Sequence, residues 1–175
     1  ISSVHVSNMG QADWLIDGLE QARGSSVAGA RVAVLGLTFK ANTDDLRESP
    51  ALRLAELLVA RGAHVVAFDP VATERGVAQL AAAGITAEGA ASAESAIAEA
   101  DAIVVGTEWP EFRQLDWAAL APTMRGRVIA DGRRVVDVAA ATGAGLTVVS
   151  LGVPHEPAVA RPQPVAVRIA AAAIV

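Results

Sequence analysis

The length, composition and charge of the chain exclude several classes of protein. With 175 residues it can form one domain with a substantial core but hardly two, and with 3% aromatic residues that core must consist mainly of Ala, Val, Leu and Ile. The net charge of -5 argues against a nucleic-acid surface, which requires a basic stripe. The absence of cysteine excludes disulfides, thiolate metal sites and a cysteine nucleophile within this chain.

The two ends of the chain bear on its location. No secretory leader precedes the first predicted helix, and the apolar stretch 165–175 is interrupted by Arg168 and is far shorter than the ~20 residues of a membrane span. We therefore expect a soluble, cytoplasmic protein without a membrane segment.

The predicted elements alternate between helices and strands. Residues 11–23 have helical spacing and resemble the end of a longer helix, and Arg31–Leu37 is an apolar run typical of a strand buried on both faces. A helix over Ser49–Arg61 follows, with Ser49 as its N-cap and Pro50 in its first turn. Further strands are predicted at 64–68, near 85, and at 101–106, 127–130 and 147–151, with helices at 73–83 and 92–100.

This alternation predicts an α/β fold, namely a Rossmann-like, doubly wound parallel sheet of about six strands. Ligands of such sheets bind beyond the C-terminal ends of the strands, so the loops that follow the strands are the candidate site. We assign residues 1–25 to the end of a linker helix, 26–152 to the sheet domain and 153–175 to a Pro-rich tail.

The loop after the first strand lacks the glycines of a standard dinucleotide site. In the pattern G-x-G-x-x-G that begins at Gly36, Thr38 and Ala41 occupy the second and third glycine positions. A classical NAD site on this turn is therefore not expected. Asp69, at the end of the second strand, is then better explained as starting a turn before Pro70 than as binding a ribose.

Charged side chains replace the glycines in this loop. Lys40 and Arg47 lie at the expected mouth of the sheet, where they could bind an anion such as a diphosphate. The alternative is that the charges of this loop pair with each other, since the loop also carries Asp44, Asp45 and Glu48.

Asp131–Arg134, directly after the fifth strand, is the second cationic segment. Arg133 or Arg134 could bind a phosphate or a sugar hydroxyl while the other pairs with Asp131 or Asp137, and we expect the two arginines to start the next helix. The alternative is that both are surface charges. Trp109, after the fourth strand, is predicted to pack rather than to line a pocket.

The three histidines, His5, His64 and His155, have neither metal-ligand spacing nor partners for a catalytic triad. We therefore predict no metal site and no catalytic constellation in this chain.

Three segments in register resemble one family. Val32–Pro70, Thr107–Trp117 and Asp131–Val136 are similar to the C-terminal domain of the UDP-glucose/GDP-mannose dehydrogenases, and the resemblance covers about 26–152. Residues 1–25 resemble the end of the long helix that joins the two Rossmann-like halves of those enzymes and forms much of their dimer interface.

The resemblance implies an activity and roles for four residues. The family oxidises the C6 alcohol of a UDP- or GDP-sugar to a uronic acid with NAD, which the N-terminal domain binds, and uses a cysteine that this chain lacks. Phe39 and Lys40 would contact the nucleotide sugar, Arg133 would bind it near the sugar or diphosphate, and Arg47 would contact the phosphates of the cofactor. UDP-glucose is the first expectation for the substrate, within a homodimer of the full-length protein.

Two functions from different classes remain open. The chain is either the substrate-binding part of an NAD-dependent dehydrogenase, inactive by itself, or a non-catalytic nucleotide-binding or assembly module of the same fold. A phosphoryl-transfer enzyme is disfavoured because the sequence has no G-x-x-x-x-G-K-[ST] loop.

Overall fold

Strands and helices alternate throughout the computed structural model, which describes the backbone of residues 2–150 and side chains from residue 10 onward. The strands are β1 (Arg31–Leu35), β2 (His64–Phe68), β3 (Ala87–Gly89), β4 (Ala102–Val105), β5 (Val128–Asp131) and β6 (Thr147–Ser150). The helices are α1 (Ser2–Arg23), α2 (Pro50–Ala60), α3 (Thr73–Ala82), α4 (Ala93–Ile97), α5 (Pro110–Arg113), α6 (Trp117–Leu120) and α7 (Val138–Gly143), with a 3-10 turn at Ala121–Thr123.

The six strands form one sheet in the order β3-β2-β1-β4-β5-β6, and every pair is parallel. Successive strands run outward from β1 to β3, and the chain then crosses back to place β4 on the other side of β1. The sheet is therefore doubly wound, as predicted, and its topological switch point lies between β1 and β4. Ligand-binding loops are expected at that point.

The alternation of side chains along β1 explains why its sequence is apolar without interruption. Val32 and Val34 belong to the core on the face covered by α1, α2 and α3. Ala33 and Leu35 belong to the core on the opposite face, which α4 and the later helices cover. A strand with both faces covered has no solvent side, so no polar residue alternates with its apolar ones.

Helix α1 packs against the sheet through a continuous apolar stripe. Leu15, Ile16 and Leu19 are fully buried in the same core as β1 and α2. Trp14, on another side of the helix, is 44% exposed. The C-terminal half of α1 is therefore part of the core of the domain.

The start of α2 confirms the predicted cap. The Ser49 hydroxyl accepts a hydrogen bond from the Ala51 amide at 3.2 Å, and Pro50 occupies the first turn. The helix ends before Gly62, whose φ of 86° suits a residue without a Cβ.

Several predicted boundaries were wrong. β1 ends at Leu35 rather than residue 37, because the chain bends at Gly36, and the strand expected near residue 85 begins at Ala87. α7 begins at Val138, so Arg133 and Arg134 do not start a helix. The last residue predicted for the sixth strand and the tail 153–175 lie outside the described residues. Within residues 2–150, no helix is both long and apolar enough to cross a membrane.

Candidate functional site

Gly36 shapes the loop that follows β1. Its φ is 87°, and a Cβ there would lie 2.5 Å from the Cβ of Thr107 on the neighbouring loop after β4. Only glycine permits both this backbone angle and this approach. At its other end the loop is fastened by Ser49, whose hydroxyl donates to the Leu37 carbonyl at 2.7 Å.

A cleft of about 410 Å³ opens at the switch point between β1 and β4. The loop after β1 contributes Phe39 and Lys40, and the loop after β5 contributes Arg133. Three of the four predicted ligand-binding residues therefore share one cleft. Its other lining residues are Gln11, Ala12 and Leu15 of α1, Pro50 and Leu54 of α2, Val105, Gly106, Glu108 and Gly132.

The loop after β4 holds the side chain of Arg133 in the cleft. Its Nε donates to the Gly106 carbonyl at 2.8 Å, and its Nη1 lies 3.6 Å from Oε2 of Glu108. The side chain is 28% exposed. Because backbone and carboxylate contacts hold the guanidinium, its orientation in the cleft is fixed.

Phe39 and Lys40, which also line the cleft, have exposed side chains. Phe39 is 47% exposed, and its amide donates to the Asp45 carbonyl at 2.8 Å, which fixes the backbone but not the ring. No salt bridge joins Lys40 to another side chain among residues 10–150. Its ammonium group is therefore available to an incoming anion.

Arg47 lies in a different place from the other three. It lines a second, more open cleft together with Asp45 and Arg75, and its side chain is 88% exposed. Its Nε and Nη2 donate to the Asp45 carboxylate at 2.9 and 2.7 Å. This hydrogen-bonded pair holds the pKa of Asp45 well below its usual value. For Arg47, pairing within the loop is the observed arrangement.

Arg75, in the second cleft, was not anticipated from the sequence. Its Nη1 lies 2.6 Å from the Asp44 carboxylate, and this contact lowers the pKa of Asp44. Arg75 belongs to α3, 31 positions from Asp44, and only the folding of the loop against α3 brings the two together. The cleft therefore contains two arginines and two aspartates.

The interpretation that an arginine side chain pairs with Asp131 or Asp137 was wrong. The buried Asp131 carboxylate accepts instead from the amides of Arg133 and Val136, at 2.9 and 2.8 Å, and it thereby shapes the turn. Asp137 caps α7 by accepting from the Ala140 amide. Arg134 adopts a left-handed φ of 57°, a strained conformation of a kind that concentrates at functional sites.

The predictions for Trp109 and Asp69 were confirmed. Trp109 is buried in the core beneath the loops and does not line the cleft. Oδ1 of Asp69 accepts from the amides of Val71 and Ala72, both at 3.1 Å, which forms the expected turn. Oδ2 of Asp69 makes further hydrogen bonds that the sequence did not reveal.

Glu108 is the cleft residue that the sequence analysis missed. It faces Arg133, and its Oε2 is shielded from solvent without a hydrogen bond from any described residue. The cleft thus combines two cations, one carboxylate and an apolar wall, a set that suits an anion with an attached polar body. Residues 10–150 contain no group of three acidic or histidine side chains that could hold a metal ion.

The sheet order and the cationic cleft at its switch point define a Rossmann-like nucleotide-binding domain. The chain belongs to the UDP-glucose/GDP-mannose dehydrogenase family, because residues 33–138 match the UDP binding domain of that family.

Individual relatives agree with this membership. The chain is 43% identical over 114 residues to a UDP-glucose 6-dehydrogenase of Rhizobium meliloti and 44% identical over 129 residues to the UDP-glucose 6-dehydrogenase AglM of Haloferax volcanii. These matches cover 65% and 74% of this chain but 25% and 28% of the relatives. The chain therefore spans little more than a quarter of their length.

Solved structures give the same result for the fold. UDP-D-ManNAc dehydrogenase from Pyrococcus horikoshii is similar with a TM-score of 0.64 and 31% identity, over 83% of this chain and 30% of that one. A UDP-glucose dehydrogenase from Pyrobaculum islandicum is similar with a TM-score of 0.60 and 35% identity, over 71% of this chain and 26% of that one.

Proposed function

We propose that the cleft at the switch point binds the nucleotide diphosphate end of a UDP-sugar. The observation that carries this proposal is the convergence of Phe39, Lys40 and Arg133 on one cleft of about 410 Å³. Lys40 would act as a mobile point charge, and Arg133 would present a guanidinium already oriented by Gly106 and Glu108. The Phe39 ring would cover an apolar face of the ligand.

The complete enzyme would be an NAD-dependent nucleotide-sugar 6-dehydrogenase that oxidises the C6 alcohol to a uronic acid. UDP-glucose is the first choice of substrate, because the named relatives include UDP-glucose 6-dehydrogenases, and a GDP-sugar is the alternative. NAD would be bound mainly outside this chain. Because this chain has no cysteine, the covalent step of the oxidation would also use residues outside it.

Arg47 would contact the phosphates of the cofactor. The exposure of its side chain supports this role, because the guanidinium can turn away from Asp45 without disturbing the core. In the same way, the exposed indole of Trp14 supports a role for α1 in a homodimer of the full-length protein. Within this arrangement, residues 26–152 would form the nucleotide-sugar-binding domain, 1–25 the linker helix and 153–175 the tail.

Calorimetric titration of the chain with UDP tests the site. We expect saturable binding that weakens as salt is raised, since the contacts are ionic. Lys40→Ala should weaken it at least about tenfold, because a charge-assisted hydrogen bond contributes about 1.5–3 kcal/mol. Arg125→Ala is the matched control and should bind UDP as the wild type does, because Arg125 is an exposed arginine that pairs with Glu99 and lines neither cleft.

Either of two results would contradict this site. One is equal affinity of the wild type and Lys40→Ala for UDP. The other is a wild-type chain that is folded by circular dichroism and binds no UDP. Titration with uridine separates the contributions, because a ligand without phosphates should be insensitive to Lys40→Ala.

A further inference from the structure

Asp69 lies at the C-terminal end of β2. Its side chain connects the three loops that follow β1, β2 and β4. The residue is 2% exposed. Oδ1 accepts from two amides of its own turn, and Oδ2 accepts from the amides of Leu37 and Thr38, at 2.8 and 3.1 Å. Oδ2 also accepts from the Thr38 hydroxyl and the Trp109 indole, both at 3.1 Å. One buried carboxylate therefore receives six donors from the loops after β1, β2 and β4.

Thr38 is the residue that these contacts immobilise most completely. Its amide and hydroxyl both donate to Asp69, and its carbonyl accepts from the Thr107 hydroxyl at 2.7 Å. It is also fully buried. Phe39 and Lys40 follow directly in the chain, so the two residues at the rim of the cleft project from a fixed anchor.

Asp69 has a different role from the acidic residue that ends the second strand of a standard Rossmann site. There, a carboxylate at the end of the second strand accepts hydrogen bonds from the hydroxyls of a ribose. In this chain both oxygens are already occupied by internal donors, and the side chain is buried. The acidic group that would bind a cofactor instead fixes the neighbouring loop, which has no glycine cradle of its own.

We propose that Asp69 is a positioning residue for the diphosphate: through Thr38 it holds the loop after β1 so that Lys40 faces the cleft. This inference rests on the proposed function of the cleft. Without this network the chain would still have Lys40, but the loop that carries it could move. Binding of the ligand would then have to order the loop, and that cost would lower the affinity. The role concerns UDP affinity and is separate from the contribution of Asp69 to folding.

A double-mutant cycle on UDP binding tests the proposal. Asp69→Asn keeps the shape of the side chain but places an amide donor against backbone or indole donors. By calorimetry we expect it to weaken UDP binding about tenfold when Lys40 is present and less than about twofold in the Lys40→Ala background, because coupled residues are non-additive. A purely structural role would produce the same change in both backgrounds.

Two further variants keep the test decisive. Thr38→Val removes the hydroxyl but keeps the size of the side chain, so it can replace Asp69→Asn in the cycle if that variant does not fold. We expect Thr38→Val to weaken UDP binding about threefold when Lys40 is present and to have no effect on UDP affinity in the Lys40→Ala background. Asp116→Asn is the control, since Asp116 also accepts from two backbone amides, those at the start of α6, but lines neither cleft, and it should leave UDP affinity unchanged.

The outcomes separate this inference from the function of the cleft. If Lys40→Ala weakens UDP binding while a folded Asp69→Asn or Thr38→Val variant does not, the cleft binds UDP and the positioning role is wrong. The role is also wrong if the loss is the same in both Lys40 backgrounds. If the wild type binds no UDP, the proposed function fails and this inference fails with it.

Discussion

At the scale of single residues, the geometry of the loop after β1 depends on the absence of a Cβ atom at Gly36. A Cβ at this position would meet Thr107 and would require a φ of 87° from an L-residue. We expect Gly36→Ala to lower the free energy of unfolding by about 2–4 kcal/mol, which combines the cost of the left-handed conformation with that of overpacking. Urea unfolding followed by circular dichroism measures the change.

Gly143 provides the matched control for Gly36. It lies at the end of α7, and a Cβ there would have no heavy atom within 4 Å. Gly143→Ala should therefore be neutral or should raise the free energy of unfolding by about 0.5 kcal/mol, because alanine has the higher helix propensity. Equal stability of the two variants would show that the backbone at Gly36 is not constrained.

The sequence allowed us to predict the cleft residues that follow a strand directly or in the loop after it. Lys40 follows β1 and Arg133 follows β5, and because the strands are parallel their loops lie at the same end of the sheet, where both residues line one cleft. The network of Asp69 could not be predicted, because its partners Leu37, Thr38 and Trp109 lie between 31 and 40 positions away. The direction of Glu108 likewise depends on the turn after β4, which no residue pattern specifies.

At the scale of secondary-structure elements, Arg61 joins α2 to α1. The guanidinium contacts the carboxylates of Asp13, Asp17 and Glu20 at 3.0, 2.6 and 3.0 Å. Burial by itself lowers the pKa of Arg61, but the hydrogen bonds with Asp17 and Asp13 outweigh this effect and raise it. The cluster supplements the apolar contacts that hold α1 on the sheet.

Replacement of Arg61 should loosen this contact measurably. We expect Arg61→Met to lower the free energy of unfolding by about 1 kcal/mol at low salt, since three partly exposed pairs are lost together. The control is Arg53→Met, which removes one exposed pair with Glu56 and should cost about 0.3 kcal/mol. Urea unfolding at low and high salt distinguishes them: if salt did not reduce the effect at Arg61, the contribution would not be ionic.

The fold was predictable because its elements carry strong local patterns. β1 and β4 are apolar on both faces, and α2 begins with a serine cap and a proline. α5 and α6 were missed because a helix of four residues is too short to show a period. The start of α7 was misplaced because Asp137, rather than the arginine pair, supplies its cap.

At the scale of the whole molecule, the overall charge and the charge of the cleft have opposite signs. The chain has a net charge of -5, yet the cleft contains Lys40 and Arg133 against the single carboxylate of Glu108. Because charges are screened over about 8 Å at physiological ionic strength, the groups in the cleft act on a bound diphosphate more strongly than the distant surface does. An acidic domain can therefore bind an anionic ligand.

We expect this domain to bind the substrate without turning it over. The chain has no cysteine and spans about a quarter of the length of its relatives, so we expect no NADH when it is mixed with UDP-glucose and NAD. In excess over UDP-glucose, it should slow a full-length UDP-glucose 6-dehydrogenase such as that of Rhizobium meliloti by sequestering the substrate. The Lys40→Ala variant should slow it less. NADH fluorescence measures both effects, and NADH formed by the chain alone would show that it contains a complete active site.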